Sequence, residues 1–171
     1  MHYRADTGVI SVVFILVILS GSAWADEKKI IGWIEWVAIT TEGLTMAAKV
    51  DTGADFSSVH AEKVRYFTRG GNQWVEFVLR DRANKPHTLQ RPLERVARIK
   101  NKTPGYQERP VVILQICVGD AQHPAQVNLA QRDHFKYPLL LGRSFLKSRF
   151  LVDASTSYLQ EPVCPKHGVG N

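Results

Sequence analysis

An apolar segment, Ala48-Lys49-Val50, runs into Asp51-Thr52-Gly53-Ala54-Asp55, and the first carboxylate sits where the strand breaks. A second apolar segment, Leu139-Leu140-Leu141, ends in Gly142-Arg143 about ninety residues later. Asp-Thr-Gly alone recurs by chance, but the ordered pair in a strand-rich chain is far more specific. The chemistry open to such a carboxylate is acid–base attack by water on an amide. It needs a water deprotonated on one side and a carbonyl oxygen or leaving nitrogen protonated on the other. Two close carboxylates sharing one proton do both jobs, because like charges in that space cannot both ionise. The chain has one Asp-Thr-Gly, so the second carboxylate must come from another Asp or from a second copy of the chain.

A symmetric homodimer supplies it with one sequence, Asp51 of each protomer meeting at the two-fold axis. Thr52 would then hydrogen-bond across the axis. Gly53 lets the backbone approach closely where a side chain would clash, and Ala54 leaves room for substrate. Asp55 should lie near the barrel wall, where Arg143, just past Gly142, can reach it. A bidentate pair there would fix the loop against a short helix. The alternative for Arg143 is a solvated surface position. Asp153 is either a carboxylate reaching Asp51 within one protomer or the cap of a turn with Ser155.

These residues need strands to hold them. Ile30 to Thr40 reads as a strand anchored by Trp33, Trp36 and Ile39, and Leu44 to Val50 as its hairpin partner. Phe56 to Val64 reads as a short helical or turn-like stretch, and Thr68 to Asn72 as a loop. Trp74 to Arg80 and His87 to Leu93 form a second hairpin with a polar tip, placed as a substrate-covering flap. Trp74 and Phe77 are pocket walls or, more simply, core. Further strands follow at Val96 to Ile99, Arg109 to Val118, Ala125 to Leu129, Leu139 to Leu141 and Phe150 to Asp153, with Tyr158-Leu159 closing the domain. A short helix opens between Gly142 and Ser148. Strands every ten or so residues, with almost no helical period, predict an all-β barrel or sandwich.

Residues 1–25 have the pattern of a signal peptide, the alternative being an uncleaved anchor: a polar start with Arg4, an aliphatic and aromatic run from Val9 to Leu19, and an Ala-x-Ala site ending at Ala25. That leaves one domain over 26–171, a periplasmic or secreted location, and no membrane span after cleavage. Export also separates the chain from ATP. The net charge is +6, but the basic residues are scattered and often sit beside acidic ones. No basic run is interleaved with stacking aromatics, so nucleic acid is not expected as a partner. The charge reads as a solvated surface with a bias toward acidic peptide substrates. Cys117 and Cys164 could pair in an oxidising compartment, or Cys117 could be a small buried hydrophobe.

At this level of detail the chain resembles a retropepsin-type aspartic protease. More specifically it is similar to the bacterial retropepsin-like family also carried under the label ATP-dependent zinc protease. Gly32-Trp33-Ile34-Glu35-Trp36-Val37, Ala48 to Ala54, Ser58-Val59-His60-Ala61, Arg109-Pro110-Val111-Val112, Tyr137 to Arg143 and Leu151-Val152-Asp153 carry the resemblance. It implies a pepsin-type closed β-barrel with one short helix, half the size of a two-lobed pepsin. It also implies Asp51 as the catalytic residue. Relatives accompany ligases that add glutamate, and some trim glutamyl chains. Asp55-Phe56 departs from the Arg-Thr that relatives commonly carry, toward the retroviral pattern.

The expectation is an exported aspartic endopeptidase, working as a homodimer on peptide or glutamyl bonds, with no metal or other cofactor. The rivals are a metal-dependent peptidase and a non-catalytic peptide-binding barrel. The chain has no His-Glu-x-x-His and no close Cys/His set. His60, His87, His123, His134 and His167 are scattered. His60 is near enough to the loop to be a ligand or proton partner, though packing or hydrogen bonding is the commoner role.

Overall fold

In the computed structural model, which describes residues 27–100 and 105–164, side chains alternate in and out along strand after strand. The strands are β1 (Lys29–Gly32), β2 (Ile34–Ile39), β3 (Leu44–Val50), β4 (Ser57–His60), β5 (Glu62–Arg69), β6 (Asn72–Arg80) and β7 (Pro86–Pro92). They continue as β8 (Arg95–Lys100), β9 (Tyr106–Val118), β10 (Ala121–Ala130), β11 (Leu139–Leu141) and, after the helix α1 (Arg143–Leu146), β12 (Phe150–Asp153). β3 shows the principle. Leu44, Met46, Ala48 and Val50 are buried while Thr45, Ala47 and Lys49 face outward, the period of two that a half-buried strand requires. The signal-peptide segment expected over 1–25 lies outside the described residues. Among those described, no helix is long and apolar enough to cross a membrane.

Six strands close into a barrel in the order β9, β10, β4, β11, β3, β2 and back to β9, with β8 added beside β9. Phe77, Phe145, Met46, Leu114, Ile116 and Leu141 are among the side chains filling the core. Burying each such side chain contributes about 1.5–3 kcal/mol. The closed all-β barrel with one short helix is the expected class. β5, β6 and β7 make a separate three-stranded sheet, and β1 lies parallel to β12.

Four expectations need correction. The stretch 56–64 is not helical: it holds β4 and the start of β5. Its two serines look turn-prone, yet Ser57 Oγ accepts the Gly142 N–H and Ser58 Oγ accepts Arg132. With those polar groups satisfied, ladders to β10 and β11 decide the conformation. The loop at 68–72 is reduced to a tight Gly70-Gly71 turn, both residues with positive φ, so the strands run to Arg69 and from Asn72.

Trp33 is not a core anchor. It is 41% exposed and sits at the bend that divides the expected first strand into β1 and β2. Finally, the β6–β7 hairpin does not cover the Asp51 loop. The Arg82 N–H bonds to the Thr45 carbonyl at 2.6 Å and its guanidinium lies over the Trp36 ring at 3.8 Å. Thr45 is six residues up β3 from Asp51, about 20 Å along an extended strand. Phe77 is core, and Trp74 packs on Phe67 and Arg69.

A strap over residues 154–164 closes the molecule without regular structure. Tyr158 stacks on Trp36 with ring centres 5.0 Å apart, and its N–H bonds to the Ile34 carbonyl at 2.7 Å. Cys164 is disulfide-bonded to Cys117 of β9. Glu35, fully buried, accepts N–H bonds from Gly32 (2.6 Å), Leu159 (3.2 Å) and Gln160 (3.0 Å).

Candidate active site

β11 brings the two halves of the motif together. It runs parallel to β3, with Leu141 opposite Val50, and antiparallel to β4. Asp51 and Gly142 therefore leave the barrel side by side, and the Asp51 N–H bonds to the Leu141 carbonyl at 2.9 Å. The Asp51 carboxylate is folded onto its own loop, Oδ1 accepting the Gly53 N–H at 2.9 Å. Asp51 and Ala54 are half-buried, and Thr52, Gly53 and Asp55 are exposed.

Arg143 fastens this loop. Its Nη1 donates to the carbonyls of Thr52 (2.9 Å) and Gly53 (3.0 Å), and its Nη2 pairs with the Asp55 carboxylate. An exposed ion pair alone contributes little, but three contacts from one planar guanidinium define an orientation. The helix makes the same connection through its backbone. Its first N–H groups, which no side chain caps, bond to the Ala54 carbonyl (2.8 Å, from Arg143) and the Asp55 carbonyl (3.0 Å, from Ser144). Phe145 and Leu146 are buried and anchor the turn.

Gly142 has no room for a side chain. A Cβ there would lie 2.5 Å from the carbonyl carbon of Phe56 and 2.6 Å from its oxygen. Gly142→Ala should therefore push the Asp51 loop away from the helix. The expected loss of stability is about 1–3 kcal/mol, with a drop in any Asp51-dependent activity. Denaturant unfolding and turnover measured on the same sample check it, and an unchanged midpoint would contradict the close approach.

A cleft of about 350 Å³ opens beside the loop, lined among others by Ala54, Phe56, Ile99, Arg109, Asn128 and Arg132. The β8–β9 pair, not β6–β7, supplies its far wall. Burial lowers the pKa of both Arg109 and Arg132. For Arg132 the like charge of Arg109 acts in the same direction, and the charge of Asp51 opposes them. Guanidinium remains cationic through such shifts. Sequence reasoning missed this pair. The available signal was an arginine at the edge of each of two β-forming runs, Arg109 just before Pro110-Val111-Val112 and Arg132 two residues after Leu129-Ala130.

The other candidates do not join Asp51. Asp153 Oδ1 accepts both the Ser155 N–H (2.9 Å) and the Ser155 hydroxyl (2.6 Å). The Ser155 side chain, and then its backbone N–H, holds the carboxyl below its ordinary pKa. His60 hydrogen-bonds: Nδ1 accepts the Arg132 N–H at 3.0 Å and Nε2 faces Asp133 at 3.3 Å. The residues do not fit the zinc of the older family label. Among the described residues, no three of His, Cys, Asp and Glu gather in a way that could hold a metal ion, and the Nδ1 lone pair of His60 is already engaged.

The likenesses to known proteins agree with this geometry. A crystal structure of a Legionella pneumophila protein of unknown function superposes with a TM-score of 0.68 at 30% identity, covering 79% of this chain and all of that one. A protein named "Probable alpha-L-glutamate ligase" from Shewanella pealeana is 35% identical over 138 residues, 78% of this chain. One of the same name from Desulfotalea psychrophila is 32% identical over 130 residues, 74% of this chain. The match spans only 30% and 28% of the lengths of those two relatives. Residues 30–163 match the family described as "RimB-like: Retropepsin-like aspartic endopeptidase RimB". With that match over most of its length, and Asp-Thr-Gly held against Gly-Arg in a closed barrel, the chain belongs to the RimB-like family of retropepsin-like aspartic endopeptidases.

Proposed function

We propose that the chain is an exported aspartic endopeptidase that works as a homodimer on acidic, glutamyl-containing peptides. The observation that carries the reading is the Asp51 loop: fastened by Arg143 through Thr52, Gly53 and Asp55, it presents one carboxylate at the barrel end, partly open to solvent. Asp153, the other acid considered, is occupied by Ser155. A second protomer brings an identical carboxylate to a two-fold axis. One Asp51, ionised, takes a proton from the attacking water. The other, protonated, gives its proton to the peptide carbonyl oxygen, yielding a tetrahedral diol. Proton return to the nitrogen then breaks the C–N bond.

Export rests on the N-terminal sequence pattern and on the Cys117–Cys164 disulfide, a bond that persists in oxidising compartments. The glutamyl preference rests on relatives named for glutamate ligation and on the cationic cleft beside Asp51. Dilution tests the pairing. Turnover per protomer should collapse across the concentration range where sedimentation shows dimers giving way to monomers. Undiminished turnover in a purely monomeric sample would sink the shared-site mechanism.

A further inference from the structure

The cleft beside Asp51 contains an electrostatic imbalance. Arg132 is only 9% exposed. Its Nη1 donates to a neutral hydroxyl, Ser58 Oγ, at 3.1 Å, and its buried Nε has no hydrogen-bond partner among the described residues. Arg109, half-buried in the same cleft, donates twice to a neutral amide, Gln107 Oε1, at 2.9 and 2.6 Å. Among the described residues no carboxylate forms an ion pair with either arginine, and Asp55 in the cleft wall is engaged by Arg143. Arg132 lies over the Phe135 ring at 4.2 Å and feels the Asp51 charge without pairing with it. A buried cation so weakly compensated is costly, and the like charge of Arg109 adds to the cost. An anion bound between the two arginines removes both penalties. Asn128 adds a second demand: its buried Oδ1 also lacks a donor among the described residues. An acidic peptide satisfies both, with a carboxylate for the guanidiniums and a backbone N–H for the amide oxygen. A small inorganic anion satisfies only the first.

We propose that Arg109 and Arg132 form a carboxylate-reading subsite that seats an acidic residue of the substrate next to the scissile bond. This rests on the peptidase reading above and adds the residues that select the substrate. Neither arginine takes part in the proton transfers. They are specificity determinants, so their loss should act on the discrimination between charged and neutral peptides. The carboxylate could be a side chain or the terminus of a chain ending in the cleft.

The test uses an Asp51→Asn protein, so that binding is read without turnover. Its ligands are amidated, otherwise neutral peptides with one Glu walked along them, the matching Gln peptides, and Gln peptides with a free terminal carboxylate. The best Glu peptide should bind at least about tenfold more tightly than its Gln counterpart, as charge-assisted bidentate bonding implies, and the difference should shrink with salt. Arg109→Gln and Arg132→Gln should each remove most of that preference, and Arg132→Lys should keep part of it. If Arg132→Gln does not fold, the half-exposed Arg109→Gln carries the test. A preference confined to free-terminus peptides supports the subsite with a chain end as its occupant. Equal binding of Glu and Gln peptides, or a preference indifferent to Arg109→Gln, overturns it. Acidic preference without cleavage by the native protein would leave the subsite standing and refute the peptidase reading. Cleavage without acidic preference would do the reverse.

Discussion

Replacing Asp51 with Asn should lower peptide cleavage by about 10⁴-fold or more while leaving the barrel folded. The loop tolerates the change because its bond to the side chain needs only an acceptor. Oδ1 of Asn can receive the Gly53 N–H as Oδ1 of Asp51 does at 2.9 Å. The Asp51 backbone N–H keeps its partner, the Leu141 carbonyl. What disappears is chemistry: an amide neither takes a proton from water nor donates one to a carbonyl oxygen at this site. In a homodimer one substitution removes both groups. Mixed dimers carrying one Asp51 and one Asn should also be inactive, because the remaining carboxylate cannot be base and acid at once. Turnover of a peptide substrate, with thermal unfolding on the same sample, decides the matter. Activity surviving in the all-Asn protein would place the catalytic group elsewhere.

The parts of the molecule legible in the sequence are those whose cause is local. The alternation in Leu44–Val50, the turn-making Thr52-Gly53, the Gly142-Arg143 break and the polar tip of β6–β7 each follow from side-chain period or backbone permissiveness. The link between Asp55 and Arg143 could be anticipated because both motifs end a strand. The parts that were not legible depend on register between distant strands. Ser57 and Ser58 look like turn residues until β11 and β10 bring them a backbone N–H and a buried guanidinium. The position of the cleft wall follows from which hairpin abuts the Asp51 loop, and composition cannot rank β6–β7 against β8–β9. Arg132 looks like any surface arginine in Gln131-Arg132-Asp133. Only the β4–β10 pairing shows that it turns inward. Glu35 is the sharpest case. It sits in a recognisable motif, yet its partners Leu159 and Gln160 lie 124 and 125 residues away.

Those distant partners make the strap the second point where a small change should have a large effect. Cys164→Ser opens a link that closes 47 residues of chain, and chain entropy puts its removal at about 4 kcal/mol. Glu35→Gln acts on the same segment by a different route. It keeps the volume but turns an amide donor toward backbone N–H groups that need acceptors, at about 1–3 kcal/mol for each group left unpaired. The two costs should not add. Once either attachment is broken, the strap can peel from β2, and the second substitution then acts on a segment already partly free. Denaturant midpoints for the two single variants and the double variant measure the shortfall. Full additivity would mean that the strap is held residue by residue, not as a unit. Peeling should also be felt at the site. Thr156 of the strap accepts the Trp33 N–H at 3.0 Å, and the Trp33 carbonyl accepts the Val50 N–H at 2.9 Å, one residue before Asp51. The strap variants should therefore lose turnover under conditions where they are still folded, and by more than Asp51-remote variants of equal stability. Equal loss in both sets would confine the strap to stability and disconnect it from the chemistry.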